Sequence, residues 1–286
     1  MTKLAYIILC HRYPKQVARL AHLLTAQGDH VVVHVDANAE LTPFQNETAN
    51  ISGDLCKFVP NRVACTWADY SIVQATLNSI DYWTSQSIEY DYLSLLSGQD
   101  YPIKPLSEIK ATLSKRKGEE FIKTWPMPHS EWGKYGGMER LHKYHFPPLW
   151  SRIQRCPGGK FITRVLEISL RFVPKIQSLR GMKPFGGEQW WTLSSECIDY
   201  IQSFRRDNRW FEDFFHNTWV PDESFFTTLL MNSCYRDRVC NDYIRYIDWS
   251  SGSAGTLTKG DFDALTSSAA LFARKFDPAL DLDFIH

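Results

Sequence analysis

Two adjacent carboxylates, Asp222 and Glu223, stand directly after Pro221 and ahead of an apolar run containing Phe225, Phe226, Leu229 and Leu230. A proline presets the backbone angle a helix start requires, and a helix start tolerates negative charge. The apolar face behind them predicts a helix whose burial holds both carboxylates still. A carboxylate fixed in this way can take a proton from an attacking hydroxyl. On this stretch alone the plainer reading of the same residues is a capped core helix, with Asp222 as the cap. Spacing alone does not separate Asp222 from Glu223 as a base.

Three more candidates sit where apolar runs end. His11 follows Leu4–Cys10, Asp36 closes the run His30–Asp36, and Asp100 lies in Ser97-Gly-Gln-Asp100 after Tyr92–Leu96. Open α/β sheets bind ligands at the carboxyl ends of their strands, where an acid commonly meets a nucleotide base or ribose. Each candidate also has a plainer reading, as a capping turn or, for His11, a hydrogen-bonded turn histidine.

The elements that must position these groups read as follows. Leu4–Cys10 is apolar throughout, like a parallel strand covered on both faces. Val17, Leu20, Ala21 and Leu24 recur with helical spacing, and Gly28 closes that helix before His30–Asp36. A βαβ unit therefore opens the chain. Cys56–Val59 predicts a third strand, Val73, Leu77, Ile80 and Trp83 a helix, and Tyr92–Leu96 a fourth strand. Gly186–Ser194 predicts a strand with a helix from Ser194, and Tyr243–Ile247 alternates like a strand with Arg245 on one face. There is no internal repeat and no linker, so residues 1–286 are expected to form a single domain.

Composition narrows the chemistry. Lys plus Arg and Asp plus Glu are each 32, so no overall field points to nucleic acid. No Gly-rich loop joins the first two strands, which argues against a dinucleotide site or a P-loop. The seven cysteines lack metal-ligand spacing and read as reduced thiols. No run approaches a membrane span. From Met138 to Lys183 the balance shifts, with ten basic residues, among them Arg140, Arg164, Arg171 and Lys175, against Glu139 and Glu167. Ile162, Val165, Leu166, Ile168, Phe172, Val173 and Ile176 alternate with the arginines, and Pro174 ends or kinks any single helix. Such a segment either packs its apolar face on its own core or lies along an anionic membrane surface or acceptor path.

In order along the chain stand Ile8-Leu-Cys-His11, His34-Val-Asp36, Trp67 with Ser71-Ile-Val-Gln-Ala75, and Leu96-Ser-Gly-Gln-Asp-Tyr-Pro-Ile-Lys104. Gly187-Glu-Gln-Trp190, Pro221-Asp-Glu223, Arg245-Tyr-Ile-Asp-Trp249 and Leu271-Phe-Ala-Arg-Lys-Phe-Asp277 follow. In this set the sequence resembles the core-2/I-branching β-1,6-N-acetylglucosaminyltransferases, glycosyltransferase family 14, whose relatives include the peptide O-xylosyltransferases. The match is weakest from about Trp125 to Lys183, and Ala68 stands where many relatives carry glycine.

The resemblance implies a GT-A fold, a Rossmann-like α/β sandwich with a mostly parallel central sheet flanked by helices. It implies inverting, metal-independent transfer from a UDP-sugar, UDP-GlcNAc first and UDP-xylose as the alternative. A non-catalytic UDP-sugar- or glycan-binding protein on the same fold is a further alternative. By the same likeness Glu223 is the general base, Arg245 and Lys275 hold the diphosphate, and Asp36 lies near the uridine. Arg274 reads as a surface or packing residue, and Trp190 and Trp249 as sugar-stacking or core aromatics. Asp100 is a single carboxylate where a cation would want more oxygen ligands, and Asp281-Leu-Asp283 follows no strand, so no metal is expected. The early first strand and reduced cysteines depart from the family's Golgi members. They suggest a cytoplasmic enzyme of surface polysaccharide synthesis, peripheral at the inner membrane face, with a glycan or lipid-linked glycan acceptor. Residues 138–183 would then be its acceptor or membrane side.

Overall fold

The computed structural model describes residues 2–170, 173, 175, 179–250 and 252–280. Strand β1 (Leu4–Cys10), helix α1 (Pro14–Thr25), β2 (His30–Val35), α2 (Thr42–Thr48) and β3 (Cys56–Phe58) open the chain. Then come α3 (Ser71–Ser85), β4 (Tyr92–Ser97), β5 (Tyr101–Pro102), α4 (Leu106–Lys115) and β6 (Phe121–Pro126). Three helices follow, α5 (Met138–His142), α6 (Pro147–Gln154) and α7 (Gly159–Leu170). The remainder is β7 (Phe185–Ser194), α8 (Ser195–Asp207), α9 (Arg209–His216), α10 (Phe225–Met231), β8 (Arg245–Ile247), α11 (Phe262–Ser267) and β9 (Phe272–Arg274).

The central sheet has the order β3-β2-β1-β4-β7-β6. Its β3–β2, β2–β1 and β1–β4 pairings are parallel, and β7 runs antiparallel to both β4 and β6. Because side chains alternate across a strand, β1 feeds two cores. Ala5 and Ile7 join the cluster under α3, α8, α9 and α10, whereas Leu4, Tyr6 and Ile8 join the one under α1 and α4. The expected α/β sandwich with helices on both faces is therefore present, and burial on both sides explains the unbroken apolar runs.

Strand order reverses between β1 and β4, which opens a crevice at their carboxyl ends. Gly98 closes the floor of that crevice: a Cβ there would stand 2.9 Å from Cys10 Cβ and 2.8 Å from Val17 Cγ2. A second sheet, β5-β9-β8, lies beside it. Its strands are only two or three residues long, but they bring the residues after β4, before β8 and after β9 to one place.

Three sequence expectations change. Pro221–Glu223 is a 3₁₀ turn, and α10 begins only at Phe225, after Ser224 leaves helical geometry at φ −139°. Asp222 lies inside that turn, and the N-cap position of α10 is Ser224 instead. The strand predicted from Tyr243 begins at Arg245, because Ile244 takes the left-handed conformation at φ 50°. Arg171, Phe172, Pro174, Ile176 and Asp281-Leu-Asp283 lie outside the described residues. All seven cysteines are free thiols. Among the described residues no helix is long and apolar enough to cross a membrane.

Candidate active site

Asp100 is fully buried just beyond β4, behind the crevice. Ser97 Oγ donates to its Oδ1 at 2.5 Å. Two guanidinium groups flank it: Arg274 Nε stands 3.3 Å from Oδ1 and Arg245 Nε 3.6 Å from Oδ2. These are ion pairs rather than hydrogen bonds, since Asp100 Oδ2 and both Nε atoms lack a hydrogen-bond partner. Arg245 spends its terminal nitrogens inward, donating to the carbonyls of Tyr243 (3.0 Å) and Leu95. Burial pushes its guanidinium down to about 10, opposed by Asp100. Burial lowers Arg274 as well.

Arg245 and Arg274 differ in exposure. The Arg245 side chain has no exposure, whereas that of Arg274 retains 16%. Arg245 therefore stands behind the surface, and Arg274, which the sequence reading assigned to surface or packing, lies between Asp100 and the crevice. It also covers the ring of Trp190, with its Cζ 4.1 Å from the centroid, and Trp190 is buried. Lys275 follows across a cis peptide bond.

His11, Asp36 and Lys275 form a second group at the ends of β1 and β2. Asp36 Oδ1 accepts from Asn38 N at 2.8 Å and Oδ2 from Cys65 N at 3.2 Å, so the loop after β3 fixes its orientation. Partial burial lowers the proton affinity of His11, with Arg12 and Lys275 acting in the same direction and Asp36 against them.

The third group surrounds Glu223. Its carboxylate pairs with Arg140 of α5, with 30% of the Glu223 side chain still exposed. Arg140 is itself held over Trp132, 4.0 Å from the ring centroid, and near Trp219 at 5.7 Å. Glu188 of β7 and Asp222 complete an acidic cluster. Burial, reinforced by the charge of Glu223, pushes each up to about 7. Asp222 Oδ1 is buried without a partner. Glu188 reaches this position because Gly187 before it packs where a Cβ would lie 2.1 Å from Lys123 O. Neither Glu188 nor Arg140 was singled out from sequence as a site residue. The Gly187-Glu-Gln-Trp190 motif was the available signal for the first, and nothing in the local pattern signalled the second.

Backbone strain gathers next to this cluster. Val220 and Ala68 both adopt φ in the left-handed region, at 50° and 65°, and Val220 N donates to Ala68 O at 3.0 Å. That conformation favours glycine and costs other residues about 1–3 kcal/mol.

Glu188 and Asp222 make stability depend on pH. Their folded-state affinities for protons exceed those of the unfolded chain, from 4.5 and 3.8 up to about 7. The native state thus holds more protons across that window, and stability falls as pH rises through it. Glu188→Gln should match the parent in thermal stability at about pH 4 and exceed it above about pH 7. Melting curves across that range check this; an equal or larger fall in the variant would remove Glu188 as a source.

Comparison with known proteins adds to this geometry. The family model of the Core-2/I-Branching enzyme matches residues 4–269. Xylosyltransferase 1 of Canis lupus familiaris is 22% identical over 99% of the chain, and Xylosyltransferase 2 of Rattus norvegicus is 24% identical over 100%. The chain spans about a third of these relatives, 30% and 33% of their lengths. Among solved structures, mouse Xyloside xylosyltransferase 1 in its apo form superposes with a TM-score of 0.39 at 11% identity, over 95% of this chain and 96% of that one.

Proposed function

The chain belongs to the Core-2/I-Branching enzyme family, and from that premise we propose that it is an inverting glycosyltransferase using a UDP-sugar donor and a glycan acceptor. The observation that carries this reading is that Glu188 lies within electrostatic reach of both the Glu223 carboxylate and Arg274, and Arg274 in turn pairs with Asp100. Inverting transfer is a single in-line displacement. The acceptor hydroxyl attacks the anomeric carbon while a base removes its proton, and the leaving diphosphate gains charge.

In this reading Glu223 is the base. Its carboxylate is partly exposed and oriented by Arg140, whereas Asp222 carries an orphaned, buried oxygen. Arg274 and Lys275 face the departing diphosphate, with Arg245 and Asp100 fixing Arg274 from behind. Fixed cations of this kind compensate leaving-group charge without a metal. Asp100, the carboxylate at that strand end, is already engaged by two guanidinium groups. Metal independence follows as part of the proposal. Asp36 and His11 border the nucleoside.

GlcNAc, attached through a β-1,6 linkage, is the donor sugar that the branching enzymes of the family suggest. The relatives named xylosyltransferases favour UDP-xylose as the second reading. A lipid-linked glycan used in surface polysaccharide synthesis at the cytoplasmic face of a membrane is the proposed acceptor. A screen of UDP release across UDP-sugars, in excess EDTA with and without added manganese, tests donor and mechanism together. Release with UDP-GlcNAc that EDTA leaves intact is expected. Preference for UDP-xylose would select the second reading, activity dependent on manganese would end the metal-free mechanism, and UDP binding without release would leave a binding protein.

A further inference from the structure

Helices α6 and α7 carry an apolar surface that the described residues leave exposed. α7 packs on α6, with Gln154 Nε2 donating to Thr163 Oγ1 at 3.4 Å, and its inward positions are the small residues Gly159 and Thr163. The large apolar side chains point the other way. Phe161 is 75% exposed, Ile162 49%, Val165 45% and Ile168 44%. This reverses the usual amphipathic helix, which buries its apolar stripe.

Charge accompanies the stripe. Lys160 and Arg164, one helical turn apart, are exposed along its edge, and Arg152 and Arg155 are exposed on α6. Over residues 147–170 these four cations stand against one acid in the sequence, Glu167. An apolar face bordered by Lys and Arg matches a bilayer interface, where aromatic and aliphatic groups enter the acyl boundary and long basic side chains reach anionic headgroups. At 12 residues, α7 is far too short to span a bilayer and suits lying along one. A second copy of this chain on the same patch would bring two sets of these cations together, which opposes pairing.

We propose that the α6–α7 hairpin is a docking surface for an anionic lipid bilayer. The hairpin belongs to the same segment as Arg140, and that segment is joined to the approach to Glu223. His145 N donates to Asn217 O at 2.9 Å, and the His145 ring stacks on Trp219 at 5.7 Å. Lys175 Nζ donates to Asn217 O at 2.6 Å and Thr218 Oγ1 at 2.7 Å. Docking therefore sets the Glu223 side of the crevice relative to the membrane. The consequence for a lipid-linked acceptor rests on the glycosyltransfer reading; the docking itself does not.

Co-sedimentation of the full chain with vesicles of phosphatidylcholine, with and without phosphatidylglycerol, tests the proposal. Binding should require phosphatidylglycerol and weaken with salt. Phe161→Glu with Ile168→Glu should abolish it, and Lys160→Gln and Arg164→Gln should each weaken it about fivefold. Melting curves confirm that the variants fold, since all four positions are exposed. Equal binding to neutral vesicles, unchanged binding by the Phe161/Ile168 variant, or no binding at all would overturn the proposal. So would a lipid-free dimer that this variant dissociates, which would assign the face to a second copy. UDP release is measured separately, so failure of docking and failure of the transferase reading remain distinct.

Discussion

Glu223→Gln is expected to lower turnover by roughly 10²–10⁴-fold while leaving UDP affinity nearly unchanged. The split follows from position. Glu223 lies on the 3₁₀ turn Pro221–Glu223, against Arg140, whereas the cations proposed for the diphosphate lie at and just beyond the end of β9. Glutamine keeps the shape and retains a carbonyl oxygen toward Arg140, so the turn and the Arg140–Trp132 contact survive the change. What it loses is the capacity to accept a proton from the acceptor hydroxyl. Single-turnover kinetics with saturating donor, beside UDP titration, read the two effects separately. A near-normal rate would return Glu223 to a structural partner of Arg140. Asp222→Asn is the natural control, because Asp222 shares the cluster but has an unpartnered, buried oxygen.

The strands that frame the crevice were legible because their physics is local. Leu4–Cys10, His30–Val35 and Tyr92–Ser97 are apolar on both faces, and both faces meet a core. Asp36 and Asp100 could be placed at strand ends from the same runs. The polar interior of the crevice was less legible. Arg274 meets Asp100 only because three very short strands from distant parts of the chain form one sheet, and strands of two or three residues leave no periodicity to read. Asp222 looked like a cap because Pro-Asp-Glu is a common helix entrance. The left-handed Val220 before it and the break at Ser224 after it turn that entrance into a separate turn. On α7 the apolar spacing predicted the amphipathic helix but not its orientation. Which face turns inward depends on what α6 offers, and Thr163 rather than Phe161 packs there.

Replacing Arg245 by methionine should destabilise the fold by about 3–5 kcal/mol, the usual cost of removing one partner from a buried ion pair. Three losses coincide at this residue. Asp100 has no exposure and, among the described residues, retains Arg274 alone as an ion-pair partner. The carbonyls of Leu95 and Tyr243 lose a charged donor inside the core. Ile244, strained at φ 50°, loses the neighbour whose contacts hold the start of β8 in place. Asp100→Asn in the same background should recover part of the stability, because it removes the uncompensated charge, and a double-mutant cycle in denaturant gives the coupling. Arg274→Gln provides the contrast. That side chain is partly exposed at the crevice, so it should weaken donor binding more than it destabilises the fold. If Arg245→Met instead unfolds at the parental midpoint, Arg245 is not the internal brace of this site. The reading of Arg245 as a diphosphate ligand beside Lys275 would then be preferred to its role as a brace.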